Sequence, residues 1–114
     1  MCLFYSDSLW GKWALHPASP LSVDVRVSRN AGPILLDPAL GPIRVSQDNS
    51  LFYGRQMHFH RIANLSPATY SETQIGTRSP ESIARALGTH TYSSSSQFEA
   101  TDAFMPETAG WDEQ

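Results

Sequence analysis

The chain has 114 residues, eight Lys and Arg against eleven Asp and Glu, and a formal net charge of -3. That length sets a ceiling of one domain. The mildly acidic balance lacks the basic footprint of a nucleic-acid or membrane-surface binder. No apolar run approaches the ~20 residues a membrane helix needs. The single cysteine, Cys2, leaves no internal disulfide framework and no multi-cysteine zinc site.

The N-terminal stretch MCLFYSDSLWGKW has no positive n-region and no small-residue cleavage site. A cytoplasmic location is therefore expected. Residues 2–5 read as a strand, Ser6-Asp7-Ser8 and Gly11 as a turn, and Trp10, Trp13 and Leu15 as the return. A domain that opens in mid-strand looks cut. The tryptophans have two readings: inter-sheet packing, or a stacking platform for a sugar face.

His16-Pro17-Ala18-Ser19-Pro20 is a stiff linker, since each proline turns the preceding residue away from the helical region. His16 is expected either to fix that turn or to do acid–base work. Residues 21–27 alternate loosely, with Val23, Val25 and Val27 against Asp24 and Arg26. They fit an edge strand or an extended approach to Arg29.

The organising stretch is 29–62. Three strand-like runs follow one another: residues 33–36, residues 43–45 and residues 52–62. Asp37, Pro38, Gly41 and Pro42 break the first from the second, and the cluster Ser46-Gln47-Asp48-Asn49-Ser50 closes the second. This is an antiparallel meander. Arg29 precedes the first run, and Gln47 and Asp48 follow the second. Antiparallel pairing brings those positions to one end of the sheet, so a guanidinium, an amide and a carboxylate are expected together. Arg29 either contacts a ligand by its planar donors or braces Asp24 or Asp48. Gln47 and Asp48 either contact a ligand or cap a turn. His58 and His60 share a strand face, with Met57 and Phe59 on the core side. That histidine face is expected to be solvated, and no third ligand makes it a metal site.

Beyond the meander, Ser66-Pro67 and Ser79-Pro80-Glu81 each carry a helix-start signal. One or two short helical turns are expected, the second running on through Ile83, Ala84 and Leu87 to Gly88. Glu72 is expected at a helix cap or on the surface. Residues 89–92 look extended, residues 93–96 form a turn, and 97–103 return as a strand. The tail, 105–114, is acidic, with Trp111 its only anchor. No phosphate-binding glycine loop, HExxH or G-x-S-x-G motif is present, and the residues call for no cofactor.

Taken in order, these segments resemble one family. The residues are Leu3-Phe4-Tyr5-Ser6-Asp7-Ser8-Leu9 with Gly11 and Trp13, then His16-Pro17-x-x-Pro20, Asp24, Arg26 and Arg29-x-Ala31-Gly32. Arg44-x-x-Gln47-Asp48-x-Ser50, Tyr53-Gly54, Tyr70-x-Glu72 and Gly88-Thr89-His90-Thr91-Tyr92 continue the series. The order is similar to the five-bladed β-propellers of the glycoside hydrolase type (arabinanase/xylosidase-like). Within that group it is most like the N-terminal domain of glucosamine inositolphosphorylceramide transferases and their bacterial relatives.

The resemblance implies a mainly β fold and a partial propeller over 1–104. In it, 1–15 is the outer hairpin of one blade, 21–75 the next blade and 87–103 the ring-closing strands. It implies a carbohydrate or glycoconjugate partner, held by Arg29, Gln47, Asp48 and His90, with His90 starting an inner strand. It also implies an incomplete catalyst, because the related hydrolases draw most of their carboxylates from blades this chain lacks. The other reading is a small non-enzymatic β module that binds a protein partner, or a second copy, through open strand edges.

Overall fold

A computed structural model describes residues 1–107. The architecture is mainly β and antiparallel. Strands β1 (Phe4–Tyr5) and β2 (Ala14–Leu15) form an N-terminal hairpin. The main sheet holds β3 (Arg29–Asn30), β4 (Leu35–Asp37), β5 (Gly41–Asp48), β6 (Gln56–Leu65) and β7 (Tyr70–Arg78). Strands β3 and β4 lie end to end on the same edge of β5, and β6 and β7 follow in meander order. A second hairpin, β8 (Tyr92–Ser94) and β9 (Glu99–Thr101), closes the described chain.

The turns explain the order. Gly41 has φ +78, which only glycine adopts without strain, and it reverses β4 into β5. Ahead of it the Asp37 carboxylate accepts from the amides of Ala39 and Leu40, both at 2.8 Å. Between β5 and β6 the Asp48 carboxylate caps Ser50 N–H at 2.9 Å, the side-chain-capped turn expected there.

The core is small. Ala31, Val45, Met57 and Tyr92 cluster, with Leu35 and Phe59 packed against them. Met57 and Phe59 thus face inward, as strand alternation requires. Gly32 lets the second hairpin dock: a Cβ there would stand 2.0 Å from the Tyr92 carbonyl oxygen. The Tyr92 amide donates to the Ala31 carbonyl at 2.9 Å. Six hydrophobic residues are buried, whereas twenty large ones are exposed among the described residues.

Several expectations are corrected. Ser66-Pro67 starts no helix. Ser66 accepts from the amides of Ala68 and Thr69 and turns β6 into β7. An isolated helical turn is costly to nucleate, and a long strand ladder flanks it on either side. Ser79 does accept from Glu81 N–H, but the helix is one 3-10 turn, Pro80–Ser82. It stops there because Ile83 is already extended, at φ -118 and ψ 119.

Residues 21–27 are not a strand. The amides of Val27 and Ser28 both donate to the Asp24 carbonyl, closing a turn. The Trp10 side chain is 94% exposed and Trp13 52%, because a two-stranded hairpin of two-residue strands has no sheet laid over it. The Trp111 anchor expected in the tail lies outside the described residues.

Truncating Met57 to alanine in this small core is expected to cost about 2–5 kcal/mol. Gly32→Ala is expected to cost about 1–3 kcal/mol by overpacking against Tyr92. Urea unfolding checks both, as a lower midpoint at unchanged m-value.

Candidate functional site

The two faces of the main sheet differ in chemistry. On β5, Arg44, Ser46 and Asp48 point opposite to Ile43, Val45 and Gln47. Across the ladder Arg44 faces His60, Ser46 faces His58 and Asp48 faces Gln56. These six residues build one polar face from β5 and β6. The third strand joins through a bulge. Phe59 pairs with Gly76 but His60 pairs with Gln74, so Ile75 is the extra residue. The skipped residue turns Gln74 and Glu72 onto the polar face.

The segment 21–28 lies over this face and leaves a cleft of about 690 Å³. Asp24 and Arg26 stand at its rim, Asp48, Gln56, His58 and His60 line it from β5 and β6, and Glu72 and Gln74 line it from β7. The Arg44 guanidinium, behind the cleft, is buried and makes a two-pronged bond to Glu72. Nε donates to Oε2 at 2.8 Å and Nη2 to Oε1 at 2.6 Å. Its remaining nitrogen donates to the Val27 carbonyl and the Asn30 side chain, and Tyr70 donates to Glu72 at 2.6 Å.

Burial alone raises the Glu72 carboxyl, but the bonds from Arg44 and Tyr70 outweigh it and hold the group below its usual range. Burial and the Glu72 charge push the Tyr70 hydroxyl up. Burial lowers the His60 imidazole and the nearby Arg44 charge lowers it further, with Glu72 in opposition. Asp48 follows the Glu72 pattern: burial raises it, while bonds from Ser50 and Gln56 lower it further than burial lifts it. At the rim Arg26 bonds Asp24 twice over and takes that carboxyl down to about 2.

Ser46, His60 and Glu72 stand in the order of a hydrolase triad. Ser46 Oγ is 2.8 Å from His60 Nε2, and His60 Nδ1 is 3.7 Å from Glu72 Oε1. The arrangement is no nucleophile site. Ser46 is fully buried and does not line the cleft. The 3.7 Å separation also exceeds a hydrogen bond, and Glu72 is committed to Arg44.

His58 and His60 are buried, 8% and 4% exposed, which corrects the expected solvated face. Residues 21–28 and β7 cover them. His58 Nδ1 meets Thr77 Oγ1 at 2.9 Å and the Gln74 amide nitrogen at 3.2 Å, and its Nε2 lies 3.6 Å from Asp48. No group of three or more His, Cys, Asp or Glu among the described residues has the geometry of a metal site. His16 fixes a turn: Ala18 N–H donates to Nδ1 at 3.1 Å, and Nε2 lies 2.9 Å from the Ser66 carbonyl.

Of the residues singled out from the sequence, Arg29 and Gln47 are direct cross-strand partners. Asp48 is adjacent in sequence but turns to the cleft, while Gln47 donates to the Asn30 carbonyl at 3.3 Å on the other side. Arg29 lies over the Tyr53 ring, 5.1 Å from its centroid, and His90 meets the same ring edge-on at 4.9 Å. The expected cluster therefore divides, with Asp48 in the cleft and Arg29 and His90 around Tyr53. Neither Asp24 nor Asp48 is braced by Arg29: their arginine partners are Arg26 and Arg55.

Glu72 is the residue the sequence reading misplaced. Its signal is Tyr70-x-Glu72, two residues that share a strand face, together with an arginine on a neighbouring strand. No family model matches the chain, and neither a curated protein nor a solved structure matches it. Among the described residues no helix is long and apolar enough to cross a membrane.

Arg44→Met leaves the half-buried Glu72 without its partner and is expected to cost about 3 kcal/mol, while the double variant with Glu72→Leu recovers most of that. Chemical denaturation of the cycle measures it. Stability is also expected to fall with pH in two stages. The folded His60 resists a proton that the unfolded residue accepts below its ordinary 6.5, so stability drops as pH falls from there. Glu72 and Asp48 add a second loss as pH falls through their lowered folded values. His60→Gln is expected to flatten the first stage alone in a pH series of urea midpoints.

Proposed function

We propose that the polar face is one wall of a carbohydrate-binding cavity in a propeller-type domain of the glycosidase-like or glycosyltransferase-associated kind. The carrying observation is the cleft itself. Gln56 and Gln74 are held by bonds to the buried Asp48 and His58, and these two amides carry planar donors and acceptors on the wall of the cleft. Such groups match the hydroxyls of a sugar, each of which offers both a donor and an acceptor.

Four strand positions in meander order, with a hairpin on either side, support the reading of one blade with parts of its neighbours. Catalysis by this chain alone is not part of the proposal. Each cleft carboxylate already faces an arginine: Asp24 with Arg26, Asp48 with Arg55 and Glu72 with Arg44. Arg26 and Arg44 hold Asp24 and Glu72 ionised, and the bonds from Ser50 and Gln56 do the same for Asp48, so none is set to act as the general acid that glycoside cleavage requires.

Titration calorimetry against a panel of neutral oligosaccharides tests the reading. Binding is expected to weaken by about tenfold in Gln74→Ala, the size of one lost hydrogen bond, with no hydrolysis of the bound sugar. A panel without a binder, or a Gln74→Ala variant that binds as the parent does, removes the proposal.

A second reading is favoured by the twenty exposed large hydrophobics and by β7, the last strand of its sheet. A module that docks a protein strand on β7 fits those features. Size-exclusion chromatography with light scattering separates the two: a stable monomer that binds sugar supports the first, and obligate assembly supports the second.

A further inference from the structure

We propose a second ligand site, separate from the cleft, in which Arg29 binds the carboxylate of a flat aromatic acid. Three distant parts of the chain meet there: Arg29 from β3, Tyr53 from the β5–β6 turn and His90 from the segment before β8. The Arg29 guanidinium is over the Tyr53 ring, 5.1 Å from its centroid. A ring face attracts the cation without consuming N–H donors as a carboxylate does. Among the described residues Arg29 makes no ion pair and no side-chain hydrogen bond. Arg26, Arg44, Arg55 and Arg61, by contrast, each bond a carboxylate or carbonyl oxygen. Arg29 is thus held in place with its planar donors unspent.

The surroundings are built rather than incidental. Asp102 accepts from the amides of His90 and Thr91 at 2.8 and 2.7 Å and also contacts His90 Nδ1. Two glycines allow the close approach: a Cβ at Gly54 would stand 2.9 Å from His90 Cβ, and one at Gly88 would stand 2.5 Å from the Gly54 carbonyl oxygen. The result is a pocket of about 390 Å³ walled by Phe52, Tyr53, His90 and Phe104. Its walls are aromatic, which suits a flat ring, and Tyr53 is shared between the pocket and Arg29. A ring in the pocket with a carboxylate on the Arg29 fork uses both features.

Nuclear magnetic resonance titration with benzoate, its neutral counterpart benzamide, and acetate tests this. Benzoate is expected to shift the Tyr53 and His90 signals and to bind at least about tenfold more tightly than benzamide or acetate, the scale of a charge-assisted bond. Arg29→Met, which keeps the aliphatic stem, is expected to erase the preference for benzoate over benzamide. Equal binding of benzoate and benzamide, an unchanged preference in Arg29→Met, or shifts absent from Tyr53 and His90 overturns the site. A neutral oligosaccharide in the cleft is not expected to displace benzoate, so this site and the sugar reading stand or fall separately.

Discussion

The Arg44–Glu72 pair is the constraint on which the main sheet depends. It reaches from β5 to β7 across β6, and the same guanidinium holds the Val27 carbonyl and the Asn30 side chain. Four segments are therefore tied by one planar group. Burying two charges is unfavourable unless geometry and hydrogen bonds compensate, and here both are supplied. Two parallel N–H···O bonds meet the carboxylate, and Tyr70 adds a third. Such a pair tolerates little displacement. It selects the register of β5, β6 and β7 as much as it stabilises them.

That register separates two chemistries on one sheet. The apolar face supports a core of a few side chains around Met57 and Val45. The polar face is almost as deeply covered, yet nearly every group on it is matched to another. No buried side-chain nitrogen or oxygen among the described residues lacks a hydrogen-bond partner. A polar network so completely satisfied rigidifies a surface, and a rigid array of donors and acceptors is what a hydroxyl-rich ligand requires. The same economy leaves many apolar side chains outside the core, on the first hairpin above all, where Trp10 and Trp13 stand in the open.

Much of this was legible in the residues. The turn chemistry of Asp37, Gly41 and Asp48 placed the meander, and antiparallel logic brought Arg29 to the same end of the sheet as Gln47, which the register makes its direct partner. Alternation put Met57 and Phe59 inward. Alternation also separates Gln47 from Asp48, so their adjacency in sequence could not bring both to one site. The depth of His58 and His60 was hidden, since it depends on residues 21–28 folding over them through Asp24 and Arg26. The place of Glu72 was hidden because a bulge breaks the period of two on which strand reading relies. Only Gly76, next to Ile75, hinted at it.

The bulge at Ile75 has a genetic corollary. Strand positions usually tolerate exchange better than loss, and Ile75 is the exception in its strand. It opposes no residue of β6, so deleting it takes out the bulge and leaves Gln74 opposite His60 and Glu72 opposite Ile62. Deleting Thr73 instead draws Glu72 to the place opposite Arg61, on the other face of the sheet, and parts it from Arg44. Two three-base deletions only two codons apart thus differ sharply in cost, although neither removes a residue of the ion pair.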